Sequence, residues 1–170
     1  SVITEAHALS RAAGDHVVAL RDLAMGPTGV PALVLDRVSG VSLSRLMRER
    51  PSLRPGEAIT ILAPLVATLT RLHSAGVVHG GIRLDAVSFD GSGAPVLACF
   101  GRASLIEPLL PPVRLEAEPG VSDDRSALER IANAVLERLP TPAALPHLTT
   151  SGWHGEVERE DLRVALDRAL

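Results

Sequence analysis

Apolar positions along the chain recur with two periods, and their order lays out the expected architecture. In "SVITEAHALSRAAG", Ile3, Ala6, Leu9 and Ala13 recur at helical spacing, predicting a short amphipathic helix closed by Gly14. "HVVALRDLAM", "GPTG" and "VPALVLDRV" then read as two strands joined by a Gly/Pro turn, an antiparallel hairpin. "SLSRLMRERP" predicts a short helix stopped by Pro51. The longest helical pattern is "RPGEAITILAPLVATLTRLHSAG", with Ile59, Leu62, Val66, Leu69 and Leu72 on one stripe. Its Pro55 lies near the N-terminus, where a missing amide matters least. Pro64 implies a kink and Gly76 a C-cap. "AVSFDGSGAPVLAC" predicts a second hairpin around Asp90-Gly91-Ser92-Gly93. Residues 105–120, rich in Pro and Glu, read as an irregular loop. "SDDRSALERIANAVLERL" predicts a capped helix with Ala127, Ile131, Val135 and Leu139 inward. A Pro-rich connector, "PTPAALPHLTTSG", and a final amphipathic helix, "GEVEREDLRVALDRAL", complete the pattern, with no internal repeat.

Composition narrows the function classes. The 170 residues are 46% hydrophobic and 22% charged, a globular balance in a chain the size of one domain. A net charge of −3 gives no basic footprint for nucleic acid, and an aromatic content of 2% with no Tyr gives no base-stacking platform. Every one of the 17 basic residues is Arg, so no reaction that needs a Lys ammonium can be run by this chain alone. Cys99 is the sole cysteine, which rules out an internal disulfide and points to a reducing, cytoplasmic setting. No apolar run approaches the ~20 residues of a membrane span, and no signal peptide opens the chain. A start at Ser1, without Met and inside a helical pattern, is what a fragment or processed product would show.

Three stretches over about residues 1–139 carry a family resemblance. "EAHALSRAAGDHVVAL" resembles the end of the protein kinase C-helix running into the fourth strand. "RLHSAGVVHGGIRLDAVSF" resembles the E-helix and catalytic loop, where the family writes H-R-D-L-K-P-E-N-I-L. "LACFGRAS" resembles the strand into D-F-G, and "DDRSAL" the start of the F-helix. The resemblance implies an α+β, kinase-like fold, with a mainly helical large lobe and a reduced small lobe formed by the C-helix end and one hairpin. It divides the chain into a small-lobe remnant (1–38), a large-lobe region (39–139), and a connector with a C-terminal helix (140–170).

The resemblance also implies what has been lost. Kinase chemistry rests on a Gly-rich lid, a Lys on the phosphates, two Mg²⁺ sites and an Asp that takes the hydroxyl proton. The chain is expected to begin after the lid and the Lys strand. The base Asp falls at Gly81 and its neighbouring Arg at Gly80; the metal-binding Asn falls at Ala86 and the D-F-G Asp at Cys99. Arg83 takes the place of the loop Lys. Gly and Ala offer no side-chain oxygen to Mg²⁺. By the same resemblance, Leu9, His79 and Phe100 belong to the apolar spine, Gly101 completes the Phe-Gly pair, and Asp124 accepts backbone hydrogen bonds from the catalytic loop. Glu5 matches the C-helix Glu without its Lys. Architectural positions are kept and chemical ones are gone, the pattern of a pseudokinase: a non-enzymatic interaction or regulatory module with a protein partner or fused domain, needing no cofactor and no metal. The alternative is a fragment of an atypical phosphotransferase or nucleotide-binding domain, with a hinge at Leu33, Val34, Leu35, Asp36, Arg37 and Val38. Ser88, where the family places an apolar adenine floor, speaks against it.

Other candidates have simpler structural readings. Cys99 and His79 could form a nucleophile and base, but a buried small hydrophobe beside a structural His is the simpler expectation. Asp123 and Asp124 could hold a metal, yet adjacent carboxylates opening a helix usually cap it. His73, His147 and His154 lack ligand spacing and read as surface or interface residues. "RLMRERPSLR" reads as a solvated helix face, and "GSG" at 91–93 as a turn. The strand at 31–37, which in the family has a neighbour on each side, is expected to offer an edge for strand pairing.

Overall fold

The computed structural model describes residues 1–106 and 119–140, together with Arg163, Val164 and Arg168. The connector, most of the C-terminal helix pattern and most of the 105–120 loop lie outside the described residues.

The first helix, α1 (Val2–Ala12), starts where the Ser1 hydroxyl accepts the Thr4 N–H at 3.2 Å. Its buried face is Ala8, Leu9 and Ala12, whereas Ile3 is 60% exposed and Ala13 is exposed. The expected Ile3–Ala6–Leu9–Ala13 face is therefore corrected: the two alanines allow close approach, and Ile3 lies on the outer side. Arg71 ties down the other end, its guanidinium donating to the carbonyls of Ala12 (2.6 Å), Ala13 (3.0 Å) and Asp15 (3.0 Å). The Ala12 carbonyl would otherwise be left open at the helix terminus.

Strands β1 (Leu20–Met25) and β2 (Pro31–Leu35) form the expected antiparallel hairpin around Gly26–Gly29, with Leu23 opposite Leu33 and Met25 opposite Pro31. Gly29 takes a left-handed φ of 73° in the turn. Asp36 N–H donates to Ala19 and Gly26 N–H to Val30. With the two-residue period of an antiparallel ladder, Leu33 and Leu35 thus turn their backbone groups away from β1. Among the described residues no strand pairs with that side of β2. The preceding segment joins the hairpin to the rest: Val18 N–H donates to Leu97 and Leu97 N–H to His16.

The remaining α-helices and strands are α2 (Leu43–Glu49), α3 (Pro55–Ser74), β3 (Val77–Val78), β4 (Val87–Phe89), β5 (Pro95–Leu97), β6 (Ser104–Leu105) and α4 (Pro119–Leu136), with short 3-10 turns at Leu84–Ala86 and Phe100–Arg102. Pro64 lies inside α3, which runs through it as one element. Leu62, Val66, Leu69 and Leu72 are buried as the stripe predicts, but Ile59 is 39% exposed, and Ala58, Ile61 and Leu65 complete the buried face. The second hairpin pairs β4 with β5 around Asp90, whose Oδ1 accepts from the Ser92 and Ala94 amides. Two boundaries are corrected. Leu105 belongs to β6, which pairs with β3, and α4 begins at Pro119 rather than at Ser122. Asp123 and Asp124 therefore stand inside α4 and do not cap it. Ala127, Ile131, Val135 and Leu139 are buried as expected. One apolar cluster runs from Ala8 and Leu9 through α3 and β5 to Leu139.

Candidate functional site

The loop after α3 is held by one carboxylate. Strand β3 delivers His79 next to Asp124, which is 1% exposed within α4. Asp124 Oδ2 accepts the His79 N–H at 2.7 Å, and Oδ1 accepts the Gly80 N–H at 2.9 Å. His73 Nε2 lies 3.1 Å from Oδ2. His73, expected as a surface or interface residue, is buried, because it points from α3 toward this carboxylate. With both oxygens engaged and the carboxylate buried, Asp124 is an organiser of the loop. Asp123, one residue earlier, is exposed.

His79 is fully buried and both of its ring nitrogens are engaged. Nδ1 receives the Gly81 N–H at 3.2 Å, so it must be the unprotonated nitrogen, and Nε2–H donates to the Ala98 carbonyl at 2.9 Å. This is the neutral tautomer. Burial, only partly opposed by the Ala98 carbonyl and the Asp124 charge, pushes the imidazolium below its usual range, and nearby Arg83 adds to that. The ring packs edge-on against Phe100 at 4.5 Å between centroids. Leu9 and Phe100 are each 1% exposed, in one core with His79 beside them. Cys99, expected as a buried small hydrophobe, is exposed instead, with a left-handed φ of 66°. Since His79 has no nitrogen left to accept a thiol proton, the Cys99–His79 dyad has no base.

The residues that the resemblance sets against kinase chemistry are Gly80, Gly81, Ala86 and Cys99. Gly80 has a φ of 68°, and a Cβ there would lie 2.6 Å from the Arg102 carbonyl oxygen, so only glycine fits without displacing backbone. Beside Gly81, the place of a Cβ lies 3.7 Å from Arg102 Cδ and 3.8 Å from Arg102 Cβ. An arginine stem thus borders Gly81. Ala86 is buried and acts through its backbone, donating to Arg83 and accepting from Ala98 at 2.8 Å. Glu5 faces the Phe100 turn: a Cβ on Gly101 would lie 3.8 Å from its Oε2. Among the described residues no group of three or more His, Cys, Asp or Glu could hold a metal ion.

In the expected hinge, Leu33 and Val38 pack against the core, Val34 and Leu35 are exposed, and Asp36 pairs with Arg21 through both carboxylate oxygens. Ser88 pairs with Ser42. Within "RLMRERPSLR", Arg45 pairs with Glu49 and Arg50 with Glu57, as on a solvated face. His147 and His154 lie outside the described residues. Sequence reasoning missed Arg71 and Arg138, whose guanidiniums bind backbone carbonyls far along the chain; Arg138 reaches Met47 at 2.9 Å. No periodic signal marks such a contact. Among the described residues no helix is long and apolar enough to cross a membrane.

Comparison with known proteins finds relatives among bacterial kinases. No family model matches the chain. It is 34% identical over 139 residues to serine/threonine-protein kinase PkaB of Streptomyces coelicolor, covering 76% of this chain and 31% of that protein. It is 32% identical over 98 residues to serine/threonine-protein kinase PknL of Mycobacterium tuberculosis, covering 57% of this chain and 24% of the relative. For serine/threonine-protein kinase PkaA of Streptomyces coelicolor the figures are 32% over 108 residues, 62% and 20%. The chain thus spans less than a third of the length of these relatives. This α+β chain is kinase-like, a sequence relative of the bacterial serine/threonine protein kinases.

Proposed function

We propose that this chain is a catalytically inactive, kinase-like domain, a pseudokinase, that works in the cytoplasm as a protein-interaction or regulatory module. The observation that carries this reading is the Gly81 position. Phosphoryl transfer needs oxygen ligands for Mg²⁺ and a carboxylate beside the attacking hydroxyl. Here Gly81 is bordered by the Arg102 stem, and Cys99 and Ala86 stand at the positions matched to the metal ligands. Arginine beside that position raises the local positive potential and disfavours a divalent cation. The preserved part of the site is its frame: Asp124 on the loop amides, and His79 against Phe100. Such a frame keeps a surface in a fixed shape for a partner without performing chemistry. The reduced small lobe belongs to the same reading, with β1 and β2 as its sheet and the open side of β2 available for strand pairing by a partner.

The reading is tested with Mg-ATP by differential scanning fluorimetry. A ligand at 100 times its Kd stabilises a fold by ~2.7 kcal/mol, a visible rise in Tm. The expected result is an unchanged Tm with ATP, with or without Mg²⁺. A rise of several degrees that requires Mg²⁺ would contradict the proposal.

A further inference from the structure

We propose that the cavity between the Gly80–Gly81 backbone and α4 binds a phosphorylated serine or threonine side chain of a protein, gripped by Arg83, Arg102 and Arg130. The cavity has a volume of about 340 Å³ and is lined by these three arginines, the loop glycines, and Asp123 with Asp124. This is the lower end of the size range of small-ligand sites. All three guanidiniums belong to exposed residues, and among the described residues none is paired with a carboxylate. That contrasts with Arg21, Arg45, Arg50 and Arg54, each of which has an acidic partner.

The two carboxylates at the cavity do not cancel this charge. Asp124 is buried and spends its oxygens on the His79 and Gly80 amides and on His73. Asp123 alone remains against three cations. Guanidinium groups bind phosphate oxygens by charge-assisted, often bidentate hydrogen bonds, and three lining one cavity suit a dianion better than a carboxylate. Gly80 and Gly81 contribute only backbone to the lining. The site deepens the non-catalytic reading by giving the partner a chemistry, and it stands or falls by direct binding, separately from the Mg-ATP result.

The test is fluorescence anisotropy with a labelled phosphothreonine peptide with neutral Gly/Ala flanks, its unphosphorylated counterpart, and inorganic phosphate as competitor. The expected result is saturable binding of the phosphopeptide alone, weakened by salt and competed by phosphate at higher concentration. Arg83→Gln and Arg102→Gln should each weaken it at least about tenfold with an unchanged Tm. Equal binding of both peptides would overturn the proposal, as would arginine variants that bind like the parent. Equal affinity for inorganic phosphate and the phosphopeptide would assign the cavity to a free anion and also overturn it. The sequence carries Glu107, Glu116 and Glu118 between β6 and α4. If only the triple variant E107Q/E116Q/E118Q binds, the cavity belongs to the chain's own carboxylates, and the proposal fails.

Discussion

Asp124 concentrates more of the loop's order than any other single side chain, because one carboxylate satisfies two backbone amides and faces a buried histidine. Replacing it with Ala leaves the His79 and Gly80 amides without their acceptor. A buried unsatisfied donor costs about 1–3 kcal/mol, so chemical denaturation of Asp124→Ala should show a loss of that size or more. Asp123→Ala, on the exposed side, should stay within about 0.5 kcal/mol. Equal small effects would mean that Asp124 does not hold the loop. The role of Asp124 was legible through the resemblance, which implied an acceptor for the loop backbone. The burial of His73 was not, since a lone His on a helical stripe does not reveal which side it faces. His79 makes a second prediction. Its folded pKa is depressed, so the unfolded chain takes up the proton first as pH falls. The stability it contributes is full above its ordinary value near 6.5 and declines as pH drops below that. Thermal melts from pH 7.5 to 5.5 should show a falling Tm, and His79→Gln, which cannot take up the proton, should flatten that slope. A slope unchanged in the variant would show that another group controls it.

At the scale of elements, periodicity located the long helix and the inward face of α4, because each buries a regular stripe, while the two hairpins were legible from their Gly-rich turns, β1 itself being almost wholly exposed. It failed where burial depends on a neighbour's shape. On α1 the core accepts Ala8 and Ala12 and leaves the larger Ile3 outside. Two-residue strands such as β3 and β6 carry no period at all, so their pairing was invisible, and the start of α4 was set three residues late by the attractive "SDD" opening. Helix α3 offers its own test. Glu57 Oε2 accepts the Arg54 N–H at 2.8 Å, and Arg50 donates to the same carboxylate at 2.7 Å through Oε1. The Arg50 guanidinium, followed by the Arg54 amide, lowers the Glu57 pKa from 4.5 to about 2. Because the folded pKa is depressed, this contribution is present above pH 4.5 and is lost as pH falls toward 2. Glu57→Ala should cost about 1 kcal/mol at pH 7, as for the loss of a helix-start acceptor, and progressively less in acid. An equal difference between parent and variant at pH 7 and pH 2.5 would contradict that assignment.

Across the whole molecule, the core is continuous from Leu9 through His79 and Phe100 to α4, while the residues that the proposed reading sets at the metal and proton positions are glycine, alanine and an exposed cysteine. On that reading the framework and the chemistry have separate residues, which would allow one to persist without the other. Fold kinship alone does not assign activity, so the account rests on the absence of carboxylates at Gly81 and Cys99. Its most direct measurement is phosphotransfer from γ-labelled ATP, to the chain itself and to a generic Ser/Thr substrate protein, with Mg²⁺ or Mn²⁺. A Gly81→Trp variant, whose side chain would crowd the cleft, serves as the matched control. The account predicts that incorporation by the parent chain equals that of the variant and of a reagent blank. Metal-dependent incorporation above both, abolished by Gly81→Trp, would contradict it.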